Sequence, residues 1–176
     1  MLAKTLALAA LAATFATGSA AAADLTAKFV DDSGWDGGAV PEGQWCSKYG
    51  GSGATPPIVV GNVPAEADAI VLAFNDETYK PMDQGGHGIV GFNVGDDSEV
   101  TVPSIPGETK DLPAGAFMVT KHRADAEGYS PGTAYLPPCS GGRGNTYTVT
   151  VQAVVLDDAG KPQKVLAETK LTLGTY

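Results

Sequence analysis

The chain has 176 residues, with 20 acidic and 11 basic side chains and a net charge of −9 at pH 7. A field of that sign repels a polyanion, so nucleic acid is excluded as an expected partner. The length suits one domain able to bury a real core.

The N-terminus reads as an export signal. Lys4 gives a positive start, Thr5 to Thr17 is an apolar run rich in Leu and Ala, and small residues follow from Gly18 to Ala23. That order predicts a signal peptide over 1–23, removed to leave a single domain over 24–176 in the periplasm or outside the cell. The apolar run is shorter than the roughly 20 residues a spanning helix needs, and no later segment is long and apolar enough to serve as a transmembrane segment.

Short apolar runs then recur between Gly- and Pro-rich turns, the pattern of a mostly β chain folded as a β-sandwich with little helix. Strands are expected at Ile58–Val63, Ala69–Phe74, His87–Val94, Ala116–Lys121 and Thr146–Leu156. The last is the clearest, because Tyr147, Val149, Val151, Ala153 and Val155 share one face opposite Thr148, Thr150 and Gln152. The turn Asp157-Asp158-Ala159-Gly160 leads into Val165–Leu173, read as a returning strand in preference to a helix.

Two cysteines occur, Cys46 and Cys139. In an oxidising compartment an even pair suggests one disulfide; separate thiols or thiolate ligands are the alternatives. A metal site from His87, Cys46 and Cys139 matches no standard zinc spacing, so no metal is assigned.

Two loops stand out by composition: Asn75 to Gly86 (NDETYKPMDQGG) and Ser130 to Gly144 (SPGTAYLPPCSGGRG). Loops on a rigid β scaffold are where binding residues concentrate. If the flanking strands are neighbours, Asp76 and His87 meet at one sheet end, and the carboxylate raises the imidazole pKa and orients it. Gly85, Gly86 and Gly88 leave room around His87 for a ligand, or serve a bulge or tight turn. The second loop contributes Tyr135, Cys139, Arg143, Asn145 and Tyr147, and its glycine-rich turn can form an anion-binding concavity of backbone N–H groups. Each has a plainer alternative: a histidine bonded to a nearby carbonyl, a solvated arginine, a core tyrosine. Lys121-His122-Arg123 reads as a solvated strand end. Nucleophile-elbow, phosphate-loop and dinucleotide motifs are all missing, so no cofactor is assigned.

In order along the chain, GQWCSKYGGSGATPPIVVGNVP, AIVLAFNDE, GGHGIVGFNV and AYLPPCSGGRGNTYTVTVQAV resemble the phosphatidylethanolamine-binding protein family in its bacterial exported branch. The family's D-P-D-x-P loop is here NDETYKP, the Trp after its histidine is Gly88, and its H-R-Y element reads Asn145-Thr146-Tyr147. The resemblance implies a Greek-key-type β-sandwich whose long loops form a small pocket for phosphate-type anions. It implies that Asp76, His87 and Tyr147 are pocket residues and that the loop at Cys139 offers backbone N–H groups to the anion. With Tyr135 and Asn145 these make the expected ligand-binding set. The expected function is an exported, non-catalytic binding protein for a small anionic ligand, phosphate or a phospholipid head group. The alternatives are an inhibitor or interaction module with a protein partner, and, last, a hydrolase using His87 as base and Asp76 as its orienting carboxylate.

Overall fold

The computed structural model describes residues 23–126 and 128–176, so the expected signal peptide lies, except for Ala23, outside the described residues. Eight strands follow in order: β1 (Thr26–Phe29), β2 (Ile58–Gly61), β3 (Ala69–Asp76), β4 (Ile89–Asn93), β5 (Glu99–Val102), β6 (Ala116–Thr120), β7 (Thr146–Leu156) and β8 (Pro162–Thr175). The only described helices are single 3₁₀ turns at Ser47–Tyr49 and Lys80–Met82.

The strands form two antiparallel sheets, ordered β1-β2-β5 and β6-β4-β3-β7-β8. Within the larger sheet β7 returns beside β3 after the β3-β4-β6 run, which is a Greek-key order with β5 displaced into the other sheet. The expected sandwich is therefore present. Its core joins Ile58, Val60 and Val102 of the small sheet to Ile70, Leu72, Phe74, Val90, Val149 and Val151 of the large one. Burying side chains of this size gives roughly 1.5–3 kcal/mol each.

Period-two alternation decides what each face carries. In β3, Ile70, Leu72 and Phe74 point into the core, whereas Ala69 and Val71 join an apolar cluster on the outer face with Val154, Phe117 and Leu156. In β7, Tyr147, Val149, Val151 and Ala153 point inward as expected, while Val155 lies outside the buried core.

Strands β1 and β5 are absent from the sequence reading. Each is four residues long and inserts only a pair of side chains, Ala27 with Phe29 and Val100 with Val102, too short a run to register as alternation. The strand expected from His87 begins instead at Ile89, because Gly88 adopts φ +113° and breaks the extended backbone. Pairing to β3 nevertheless continues, through His87 N to Phe74 O and Phe74 N to Gly88 O. At the other side, β3 runs two residues further than expected and takes in Asn75 and Asp76.

Candidate functional site

Asp76 follows Phe74 on the inward-facing side of β3, at the end of the sheet. There the interior opens into a cavity of about 620 Å³, lined by residues of the 76–87, 123–129 and 136–145 segments. A carboxylate at an inward position of a buried strand requires partners. Asp76 is 3% exposed; its Oδ1 accepts from the amides of Thr78 (3.0 Å) and Tyr79 (2.9 Å), and its Oδ2 accepts from Asn145 Nδ2 (2.6 Å). Asp76 thus organises the turn after β3 and holds Asn145 against the cavity.

His87 lines the same cavity and is 3% exposed. Its Nδ1 lies 2.8 Å from the carbonyl oxygen of Leu136, an atom that only accepts, so Nδ1 carries the proton. No protein hydrogen bond among the described residues reaches Nε2. Nor is Nε2 one of the sealed polar atoms without a partner, so its lone pair opens on the cavity. The ring packs edge-on to Tyr147, with centroids 5.3 Å apart and an interplanar angle of 89°.

The expected charge on His87 is corrected by this environment. Burial dominates and lowers its pKa to about 4; the Leu136 carbonyl and the Asp76 charge oppose that only in part. The imidazole is neutral at pH 7, and the Leu136 carbonyl, not Asp76, orients it. Of the two uses expected for the glycines beside it, room for a ligand and a tight turn, the structure shows the backbone one. A Cβ on Gly88 would lie 1.8 Å from Ala134 O, so this glycine admits the 134–136 backbone, not a ligand. Leu136 N then bonds His87 O at 2.9 Å, which fixes the carbonyl that orients the ring.

The second loop is tied down by the Cys46–Cys139 disulfide, with Cα atoms 5.3 Å apart. Its half-cystines pack with Met82 and Leu136 beneath the cavity, and Cys46 is fully buried. Cys139 lines the cavity, but its amide does not face a ligand: it donates to Tyr147 Oη at 3.1 Å. Tyr147 is buried, and desolvation first, with the Asp76 charge adding, pushes its phenol up to about 12.

Tyr135 leaves the expected site altogether. In the extended 134–136 segment Leu136 faces the cavity and Tyr135 points the opposite way, against Phe74 with ring centroids 4.6 Å apart. Its hydroxyl is buried without a protein partner, and desolvation raises its pKa. Of the expected set, Asp76, His87, Cys139 and Asn145 line the cavity, Tyr147 supports its wall, and Tyr135 belongs to the core.

Arg123 and Arg143 border the cavity. Arg123, expected in a solvated strand end, donates from its guanidinium to the carbonyls of Pro81 (3.3 Å), Asp83 (2.8 Å) and Gln84 (2.8 Å). It thereby pins the turn after β3 while remaining exposed. No signal in the sequence marks this contact, because the three carbonyls lie 42, 40 and 39 residues away along the chain. His122 beside it is fully buried, with Nε2 donating to Ser130 O at 3.0 Å. Arg143 donates to the Ser140 carbonyl. Asp125, also lining the cavity, pairs with Lys121 at 3.3 Å in an exposed bridge.

The fold is similar to that of a solved Chlamydia trachomatis protein described as a proposed phosphatidylethanolamine-binding protein homologue. The TM-score is 0.52 and the identity 22%, covering 87% of this chain and 97% of that one. The two share a fold, as the sequence resemblance implied. No family model matches the chain, and no curated protein matches it.

Proposed function

We propose that this is an exported, non-catalytic binding protein whose cavity beside Asp76 and His87 receives a small ligand bearing a phosphate-type anion, such as a phospholipid head group. The observation that carries this reading is the cavity itself: about 620 Å³, with polar groups from separate loops converging on it and a disulfide holding one wall. The anion is met by Arg143, an exposed lining residue whose guanidinium spends one N–H on Ser140 O and keeps others free. Gly141 (φ +71°) and Gly142 (φ +76°) form the turn between Ser140 and Arg143, both of which line the cavity.

What favours binding over the hydrolase alternative is the bonding of His87 and Ser140. His87 Nδ1 is bonded to a carbonyl and not to Asp76, and the Ser140 hydroxyl in the cavity donates to Tyr176 O and not to His87. Export is supported by the disulfide, which belongs to oxidising compartments. Among the described residues no helix is long and apolar enough to cross a membrane.

Calorimetric titration of residues 24–176 with phosphorylethanolamine tests the function. Saturable binding, weakened at least tenfold by Arg143→Glu, is the expected result. Absence of binding at millimolar concentration overturns it in favour of the interaction-module reading. The mass of the exported protein tests the signal peptide, with mature chain expected to start near Asp24.

A further inference from the structure

The two sheets present four edge strands, and three of them carry the devices that discourage pairing with another chain. β1 holds Lys28 and β5 holds Glu99. β8 begins with Pro162, carries Lys164, Glu168 and Lys170, shifts register against β7, and is tied at Thr175 to Gly38 and Val40. β6 is the exception. Its sequence, Ala-Phe-Met-Val-Thr, has no charge and no proline, and its strand partner is β4 alone among the described residues.

The hydrogen bonds around β6 show which backbone groups stay free. Asn93 N donates to Gly115 O, and Ala116 N turns back to Pro113 O. Antiparallel ladders alternate, so Phe117 faces Gly91 with its backbone groups while the N–H and C=O of Met118 point off the sheet. The Met118 side chain is itself 50% exposed. Phe117 and Val119 lie on the outer face, packed against the cluster of Ala69, Val71 and Val154. The surroundings are electrically neutral on an acidic chain. Residues 103–125 hold three acidic and three basic side chains: Glu108, Asp111 and Asp125 against Lys110, Lys121 and Arg123.

We infer that a second copy of this chain pairs through β6, antiparallel about a twofold axis at Met118, and joins the two large sheets edge to edge. In that register the two Met118 residues exchange both backbone bonds. Phe117 then stands opposite Val119 of the other copy, which extends each outer apolar cluster across the joint. The neutral belt spares this approach the repulsion expected between chains of net charge −9. Gly115 (φ +81°) and Val119, which the register shift leaves without an opposite residue on β4, bound the paired stretch. The contact is isologous and consumes both free edges, so the assembly closes at two copies. β6 runs in the direction of β3, and antiparallel joining therefore sends the two cavities to opposite ends of the joint sheet. The inference is independent of what the cavity binds.

Light scattering of residues 24–176 from micromolar to millimolar concentration should show a monomer passing to twice its mass. Met118→Lys sets a charge at the centre of the joint and should weaken association at least tenfold, with circular dichroism confirming the fold. Paired in this way, the two residues at 118 have Cα atoms about 5.5 Å apart, within disulfide reach. Met118→Cys should therefore cross-link two chains under mild oxidation. Val165→Cys, at a residue as exposed (49%) but on β8, should not. Peptide mapping without reductant should place the new bond at 118 and find Cys46–Cys139 intact. If Met118→Lys does not fold, the two cysteine variants decide by themselves. A chain that stays monomeric at every concentration overturns the inference and leaves the edge to a foreign extended segment. Association that survives Met118→Lys, or cross-linking at 165 and not at 118, overturns it as well, because the copies then meet elsewhere.

Discussion

His87 donates its Nδ1 proton to the carbonyl of Leu136 at 2.8 Å, and that bond settles which nitrogen faces the cavity. A histidine so held is a fixed acceptor at neutral pH. Nitrogen-detected NMR should show His87 as the Nδ1–H tautomer from pH 6 to 8, with protonation only near pH 4. Titration near pH 6.5 would contradict the burial that keeps this ring neutral.

The same group links stability to acidity. The folded pKa of His87 lies below the unfolded value of about 6.5, so the unfolded chain binds the proton first. Its contribution is complete above about pH 6.5 and is lost as pH falls toward 4. The amount is on the order of 3 kcal/mol, taken from the spacing between about 4 and the unfolded value. Urea midpoints from pH 7.5 to 4.5 should fall, and His87→Phe should flatten that part of the profile.

Gly88 is the backbone hinge of the site. Gly88→Ala places a Cβ 1.8 Å from Ala134 O at φ +113°, so the 134–136 segment must move. A cost of at least about 2 kcal/mol is expected from the forbidden torsion and the overlap together. Chemical denaturation measures the loss, and an altered His87 tautomer signal would show that the Leu136 contact has opened.

Tyr147 serves as the acceptor for the Cys139 amide at 3.1 Å. Tyr147→Phe leaves that donor without a partner and should destabilise the protein by roughly 1–3 kcal/mol. Hydrogen exchange at Cys139 should accelerate while exchange in the middle of β3 and β7 stays slow. An unchanged rate at Cys139 would mean that the wall is held by the disulfide alone.

The disulfide closes a long loop, with its cysteines 93 residues apart. Loop entropy predicts roughly 4–5 kcal/mol of stabilisation. Reduction should lower the denaturant midpoint, and since Cys139 lines the cavity, ligand affinity should fall with it. Peptide mapping without reductant should recover the linked Cys46–Cys139 pair.

What the sequence alone determined was local. Period-two alternation in Thr146–Leu156 identified β7 with its boundaries, because the face turned to the core places Tyr147, Val149, Val151 and Ala153 at every second position. The cysteine pair and the two loop compositions were readable for similar reasons, each being a property of residue types in a short window. Tertiary structure alone decided what those residues do. Whether Tyr135 faces ligand or core depends on which side of an extended segment meets Phe74. The charge of His87 depends on burial that no neighbour in sequence supplies. Arg123 enters the site through carbonyls some 40 residues away, as its separation from Asp83 shows. Desolvation and long-range hydrogen bonds exist only once the chain has closed, and they set the polarity of this cavity.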